Sequence, residues 1–137
     1  MGVCKWYTKR FSDYAYLVFR VLVGLGFFFH GAQKLFGLFG GTGGGSVAIF
    51  SLMGLAGLIE TIGGVAILLG IFTRLVSSIT ALEMLIAYFM VHFPQSWNPL
   101  LNGGEVVVLY FATFLAITVY GNGKFSLEKK LWKKEIF

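Results

Sequence analysis

Four long apolar runs dictate what this chain can become. They span residues 14–36, 47–72, 74–93 and 103–120, with short breaks between them. A membrane helix needs about 20 predominantly apolar residues to cross the hydrocarbon core. Each run is close to that length, and the second is long enough to tilt. Charged residues make up only 12% of the 137 residues and apolar residues 57%, whereas a soluble domain carries about 25% charged residues. A chain with so few charges cannot coat a globular surface. The expected fold is therefore all-α, an integral membrane four-helix bundle forming one domain over 1–137, with a basic tail at 124–137.

The breaks differ in chemistry. Residues 37–46 form a glycine-rich loop. Thr73-Arg74 reads as a tight turn that makes the second and third helices antiparallel neighbours. Residues 94–102 hold both prolines and Trp97, which predicts an interfacial loop. Gly121-Asn122-Gly123 closes the fourth helix with residues that tolerate left-handed backbone.

Lysine and arginine set an orientation. Lys5, Lys9 and Arg10 precede the first run, Arg74 sits in the second break, and Lys124, Lys129, Lys130, Lys133 and Lys134 follow the last. The other two breaks carry at most Lys34. The positive-inside rule then places both termini in the cytoplasm of a multi-pass cell (inner) membrane protein, as an even number of spans also requires. Basic residues beside apolar runs face anionic lipid and form no folded basic surface, which argues against nucleic acid. In the tail, Ser126 is placed to cap a short helix carrying Leu127, Leu131 and Trp132 on one side. Such a helix suits a lipid anchor, a docking face or a solvated tail.

Charged groups interrupt the apolar runs. A charge at the bilayer centre costs roughly 2.5–3.5 kcal/mol on insertion scales, so such groups pair with one another or line a polar path. Measured from the cytoplasmic helix ends, Arg20 lies at about 9 Å, Glu83 at about 13 Å and Glu60 at about 18 Å. His30 and Glu105 lie at about 24 Å, His92 at about 27 Å and Lys34 at about 30 Å. This predicts a middle layer in which Arg20 meets Glu60 or Glu83, beneath an outer mouth of His30, Lys34 and Glu105. Glu83 and His92 point about 180° apart on an ideal helix, so they are not expected to share one straight cavity. On the second helix, Ala56, Glu60, Gly63 and Gly64 share a side where small residues let a neighbouring backbone approach. The middle layer reads either as a structural ion pair or as a ligand or proton path.

Other chemistries lack a signature. The glycine-rich loop has no following lysine and no flanking strand, so it is not a phosphate loop. Cys4 has no evident base beside it, and no metal site is expected from two histidines without close spacing.

Taken together, Arg20-(x)3-Gly24, Phe29-His30-Gly31-Ala32-Gln33-Lys34-Leu35-Phe36-Gly37, Glu60-Thr61-Ile62-Gly63-Gly64 and Leu69-Gly70-Ile71-Phe72-Thr73-Arg74 resemble the first two helices of the DoxX family. Asn102-Gly103-Gly104-Glu105 and Tyr120-Gly121-Asn122-Gly123-Lys124-Phe125-Ser126-Leu127 resemble its last helix and exit. Two departures stand out. The exit of that family usually reads Gly-Pro-Gly, and Glu83 stands where an apolar residue, often methionine, is expected. The resemblance implies a four-helix membrane protein, mostly of bacteria and archaea. It links some relatives to a thiosulfate:quinone oxidoreductase and others to complexes with superoxide dismutase and a sulfurtransferase. The matched positions are Arg20, His30, Gln33, Lys34, Glu60 and Glu105.

Three functions remain open at this level. One is the membrane subunit of a redox complex, with quinone as candidate ligand at a polar core of Arg20, Glu60, Glu83, His30, Gln33, Lys34 and Glu105. Another is a scaffold that recruits a soluble redox or sulfur-transfer protein through the cytoplasmic tail. The last is a small transporter of protons or anions, which would require a homo-oligomer.

Overall fold

The computed structural model describes the backbone of residues 2–136 and the side chains of Thr8 and of residues 10–136. The side chains of Cys4, Lys5 and Lys9, and Phe137 of the tail, lie outside the described residues. Among the described residues the regular elements are helices: α1 (Gly2–Phe36), α2 (Leu52–Leu69), α3 (Thr73–Ala87), α4 (Glu105–Tyr120) and α5 (Leu127–Trp132), with a short 3-10 turn at Leu38–Gly40. A π-helical turn, Tyr88–His92, continues α3. Arg10–Phe36, Leu52–Leu69 and Thr73–His92 are each long and apolar enough to cross a membrane. The 16 residues of α4 are equally apolar but shorter, about 24 Å at 1.5 Å per residue.

Several boundaries move from those expected. The first helix begins well before residue 14, so α1 extends beyond its apolar part. The second begins at Leu52 rather than 47, because Ser51 caps it by accepting the Gly54 N–H at 3.0 Å. The turn between α2 and α3 is Gly70 to Phe72 rather than Thr73-Arg74. Gly70 ends α2 at φ 72°, a conformation that glycine adopts without steric cost. Phe72 adopts φ 47°, which a bulky residue rarely does unless its surroundings hold it.

The helices pack as two pairs, α1 on α2 and α3 on α4, with sparser contact between the pairs. Glycines bring α1 and α2 together. A Cβ on Gly24 would lie 2.6 Å from Leu68 N and 2.7 Å from Gly64 O. One on Gly31 would lie 2.5 Å from Thr61 N. The backbones touch directly there, which only a small residue permits. Hydroxyls join the other pair, with Ser77 Oγ 2.9 Å from Thr118 Oγ1. Between the pairs lies a core of Phe27, Ile67, Ala81, Met84, Phe114 and Ile117.

The tail folds back onto the bundle. Ser126 caps α5 by accepting the Lys129 N–H, as expected. The side it buries is not the apolar one, however. Leu131 and Trp132 are exposed, while Glu128 is fully buried. Glu128 accepts hydrogen bonds from Phe72 N at 2.8 Å, Asn122 Nδ2 at 3.2 Å and Ile136 N at 2.5 Å. One carboxylate thus holds the strained α2–α3 turn, the α4 exit and the end of the tail together.

Candidate functional site

The register of α1 against α2 decides which charges meet. Gly24 lies opposite Gly64 and Leu68, and Gly31 opposite Gly57 and Thr61. Continued downward, this brings Arg20 level with Gly70, at the end of α2. The guanidinium of Arg20 donates to the carbonyls of Asn122 and, at 2.7 Å, Phe125. The expected meeting of Arg20 with Glu60 or Glu83 therefore does not occur. Arg20 instead clamps the α4 exit, because the register sets it level with the end of α2 and the residues of α1 before it extend past that end without adding depth.

Glu60 takes a different partner. Lys34 Nζ lies 2.6 Å from Oε1 and 2.5 Å from Oε2 of Glu60. The α1–α2 register sets Lys34 about one helical turn from Glu60, which the lysine stem spans. Both side chains are largely enclosed, at 15% and 5% exposure.

Beside this pair lies a cavity of about 170 Å³ between the two helix pairs. Its polar groups are His30, Lys34, Glu60, Glu83, His92 and Tyr110. Residues of the two expected layers thus share one site, without Arg20 and Glu105. The rings of His30 and Tyr110 meet edge to face with centroids 5.7 Å apart. His92 Nδ1 lies 2.9 Å from the carbonyl of Asn102. A carbonyl only accepts, so Nδ1 donates this bond.

Glu83 and His92 both line the cavity, contrary to the ideal-helix expectation. The π-turn explains it. Phe93 N bonds Tyr88 O at 2.9 Å, one residue further back than in an α-helix. The extra residue sets His92 back by about 100°, so the two side chains stand about 80° apart rather than opposed.

Glu83 differs from its neighbours. Both its carboxyl oxygens are buried, and neither has a hydrogen-bond partner among the described residues. An orphaned buried polar group in a native fold requires an explanation. Besides Arg20, two expected members of the site, Gln33 and Glu105, lie elsewhere. Gln33 Nε2 donates to the Gly41 carbonyl at 3.3 Å and so steadies the glycine-rich loop. Glu105 is exposed in the first turn of α4, where a carboxylate favours the helix dipole. Among the described residues no three His, Cys, Asp or Glu groups converge as metal ligands would.

Residues 15–93, more than half of the chain, match the model of the DoxX family. The chain belongs to the DoxX family. A relative described as an uncharacterized protein of Haemophilus influenzae is 33% identical over 130 residues, covering 92% of this chain and 97% of its own length. No solved structure matches.

Within this DoxX protein the sequence pattern missed three residues. Tyr110 faces the cavity from the middle of an apolar helix, and only its hydroxyl in such a run marks it. Asn122 occupies the usual proline position of the exit and does more than turn the chain. Its N–H lies 3.1 Å from Glu135 Oε1, a bond proline could not make, and its side chain reaches Glu128. Glu128 itself read as an ordinary tail charge.

Proposed function

We propose that this DoxX protein is the membrane subunit of a redox complex, in which a quinone- or sulfur-linked carrier meets the protonatable groups of the central cavity. The observation that carries the reading is Glu83, a buried carboxyl group with no hydrogen-bond partner among the described residues, facing a cavity that also holds the Lys34–Glu60 pair. Intramembrane ionisable groups mark ligand or proton paths by default. A carrier oxygen would find a cation in Lys34 and hydrogen-bonding groups in Tyr110 and His30.

Reduction of a quinone to a quinol consumes two electrons and two protons. In this reading the electrons come from a partner oxidoreductase and the cavity side chains supply or accept the protons. The positive-inside pattern would set that partner against a cytoplasmic face carrying Arg74 and the tail lysines. A scaffold acting through a detachable tail has less support, since Glu128 buries the tail into the α2–α3 turn.

The test is gentle purification from native membranes, with mass spectrometry of bound proteins and extracted lipids. Quinone and an oxidoreductase should co-purify. Glu83→Gln should abolish electron transfer while the protein stays folded. Purified protein that neither carries nor binds a quinone would remove the main support for the reading.

A further inference from the structure

We propose that the cavity is entered sideways from the lipid, through the cleft between α2 and α3, by a molecule with a small oxygen-bearing head and a hydrocarbon tail. The nature of the head rests on the redox reading above; the route does not. On the outer side of the cleft is an apolar groove of about 240 Å³, walled by residues such as Leu55, Ile59, Leu82 and Ile86. Groove and cavity have Met53, Ala56, Glu83, Ala87 and Val91 in common. The two spaces therefore meet at the orphaned carboxyl group.

The packing shows why the cleft lies at this level. Towards the turn, α2 and α3 are in contact, and a Cβ on Gly63 would come 2.9 Å from the Thr80 methyl. Further along, beyond Glu60 and Glu83, the residues that line both spaces include Ala56, Ala87 and Met53. Alanine leaves room, and methionine adapts to what enters.

The ligand class follows from the two linings. A hydrophilic molecule has no reason to cross a groove whose only polar residue is Glu83. A wholly apolar one would leave the Glu83 carboxyl group without a hydrogen-bond partner, at a cost, whereas a protonated carboxyl donates to a quinone oxygen and a carboxylate accepts from a quinol hydroxyl. An amphiphile satisfies both, with its tail along Leu55, Ile59, Leu82 and Ile86 and its head between Glu83 and Lys34.

The probe is a 1,4-benzoquinone with a decyl tail ending in a diazirine, added to vesicles containing the full-length protein and photolysed. Peptide mapping should find adducts in the α2–α3 groove, suppressed by excess unlabelled decyl-benzoquinone. Ala56→Phe, which narrows the cleft and keeps every polar group, should weaken the apparent affinity at least about tenfold. Ala87→Phe should do the same, while Val119→Phe on the exposed face of α4 should not. Thermal unfolding confirms that each variant is folded, and the mapping on unaltered protein stands without them.

Competed adducts on α1 or α4 instead would overturn the route and leave the redox reading standing. Groove adducts that resist competition, matching those from a diazirine-labelled phospholipid, would mean that the groove holds only bilayer lipid. Absence of any specific adduct, with no quinone binding, would end both proposals.

Discussion

Replacing Glu83 with methionine should make this protein more stable while disabling it. Methionine has a similar volume, and the lining around Glu83 on the groove side is otherwise apolar. Neither carboxyl oxygen has a partner among the described residues. A buried polar group left unsatisfied costs about 1–3 kcal/mol, and more if it is charged. Removing both oxygens at once should recover about that amount. At roughly 3 °C per kcal/mol for a chain of this size, the melting temperature in detergent should rise by about 3–9 °C. Glu83→Gln keeps a polar group in place and should leave stability within about 1 kcal/mol of the parent. Both variants should lose quinone-dependent electron transfer. A drop of more than about 1 kcal/mol for Glu83→Met would refute the reasoning. It would mean that Glu83 is held by a bond essential to the fold and is not kept for function.

Further outcomes follow from the same geometry. Lys34→Met should destabilise by about 3–5 kcal/mol by leaving Glu60 buried and alone, whereas Lys34→Met with Glu60→Leu should be nearly neutral, because a packed apolar pair replaces a buried ion pair at little cost; urea or thermal unfolding in micelles measures the coupling. Glu128→Ala should cost about 2–5 kcal/mol, since the half-buried Phe72 N–H and the buried Asn122 amide lose their acceptor, and hydrogen exchange should quicken first at the α2–α3 turn. In the tail, burial raises the Glu135 carboxyl, but the Asn122 N–H, Lys129 and Arg74 outweigh it and hold the group below its ordinary value. Its contribution is therefore present above the ordinary glutamate value of about 4.3 and is lost as pH falls through the depressed one. Exchange of residues 121–136 should accelerate over that acid window, and Glu135→Gln should remove this part of the pH dependence.

Much of the architecture was legible in the chain because membrane helices must satisfy their own backbone and present apolar side chains to lipid. Those demands are local, so run lengths and composition revealed an all-helical bundle, and the capping role of Ser126 could be read from residue type. The glycines on one side of the second helix likewise pointed to the close approach of a neighbour, which proves to be α1 at Gly64 and α3 at Gly63. The site was legible only in its ingredients. Lys34, His30, Glu60 and Glu83 were singled out by the cost of burying them, but their pairing was misjudged. Depth counted from assumed helix ends placed Arg20 beside Glu60, while the α1–α2 register fixed by the Gly24–Gly64 contact puts it at the α4 exit.

What the sequence by itself determined is therefore a membrane bundle of the DoxX type with too many charges inside it to be inert. What only the tertiary structure decided is which charges meet. Three facts did so: the backbone contact that sets the α1–α2 register, the tail that returns to bury Glu128, and the π-turn that swings His92 to the side of Glu83. The first two depend on where one segment lies against another, which no spacing within a single run records, and the third on a five-residue hydrogen bond that an ideal-helix count does not contain.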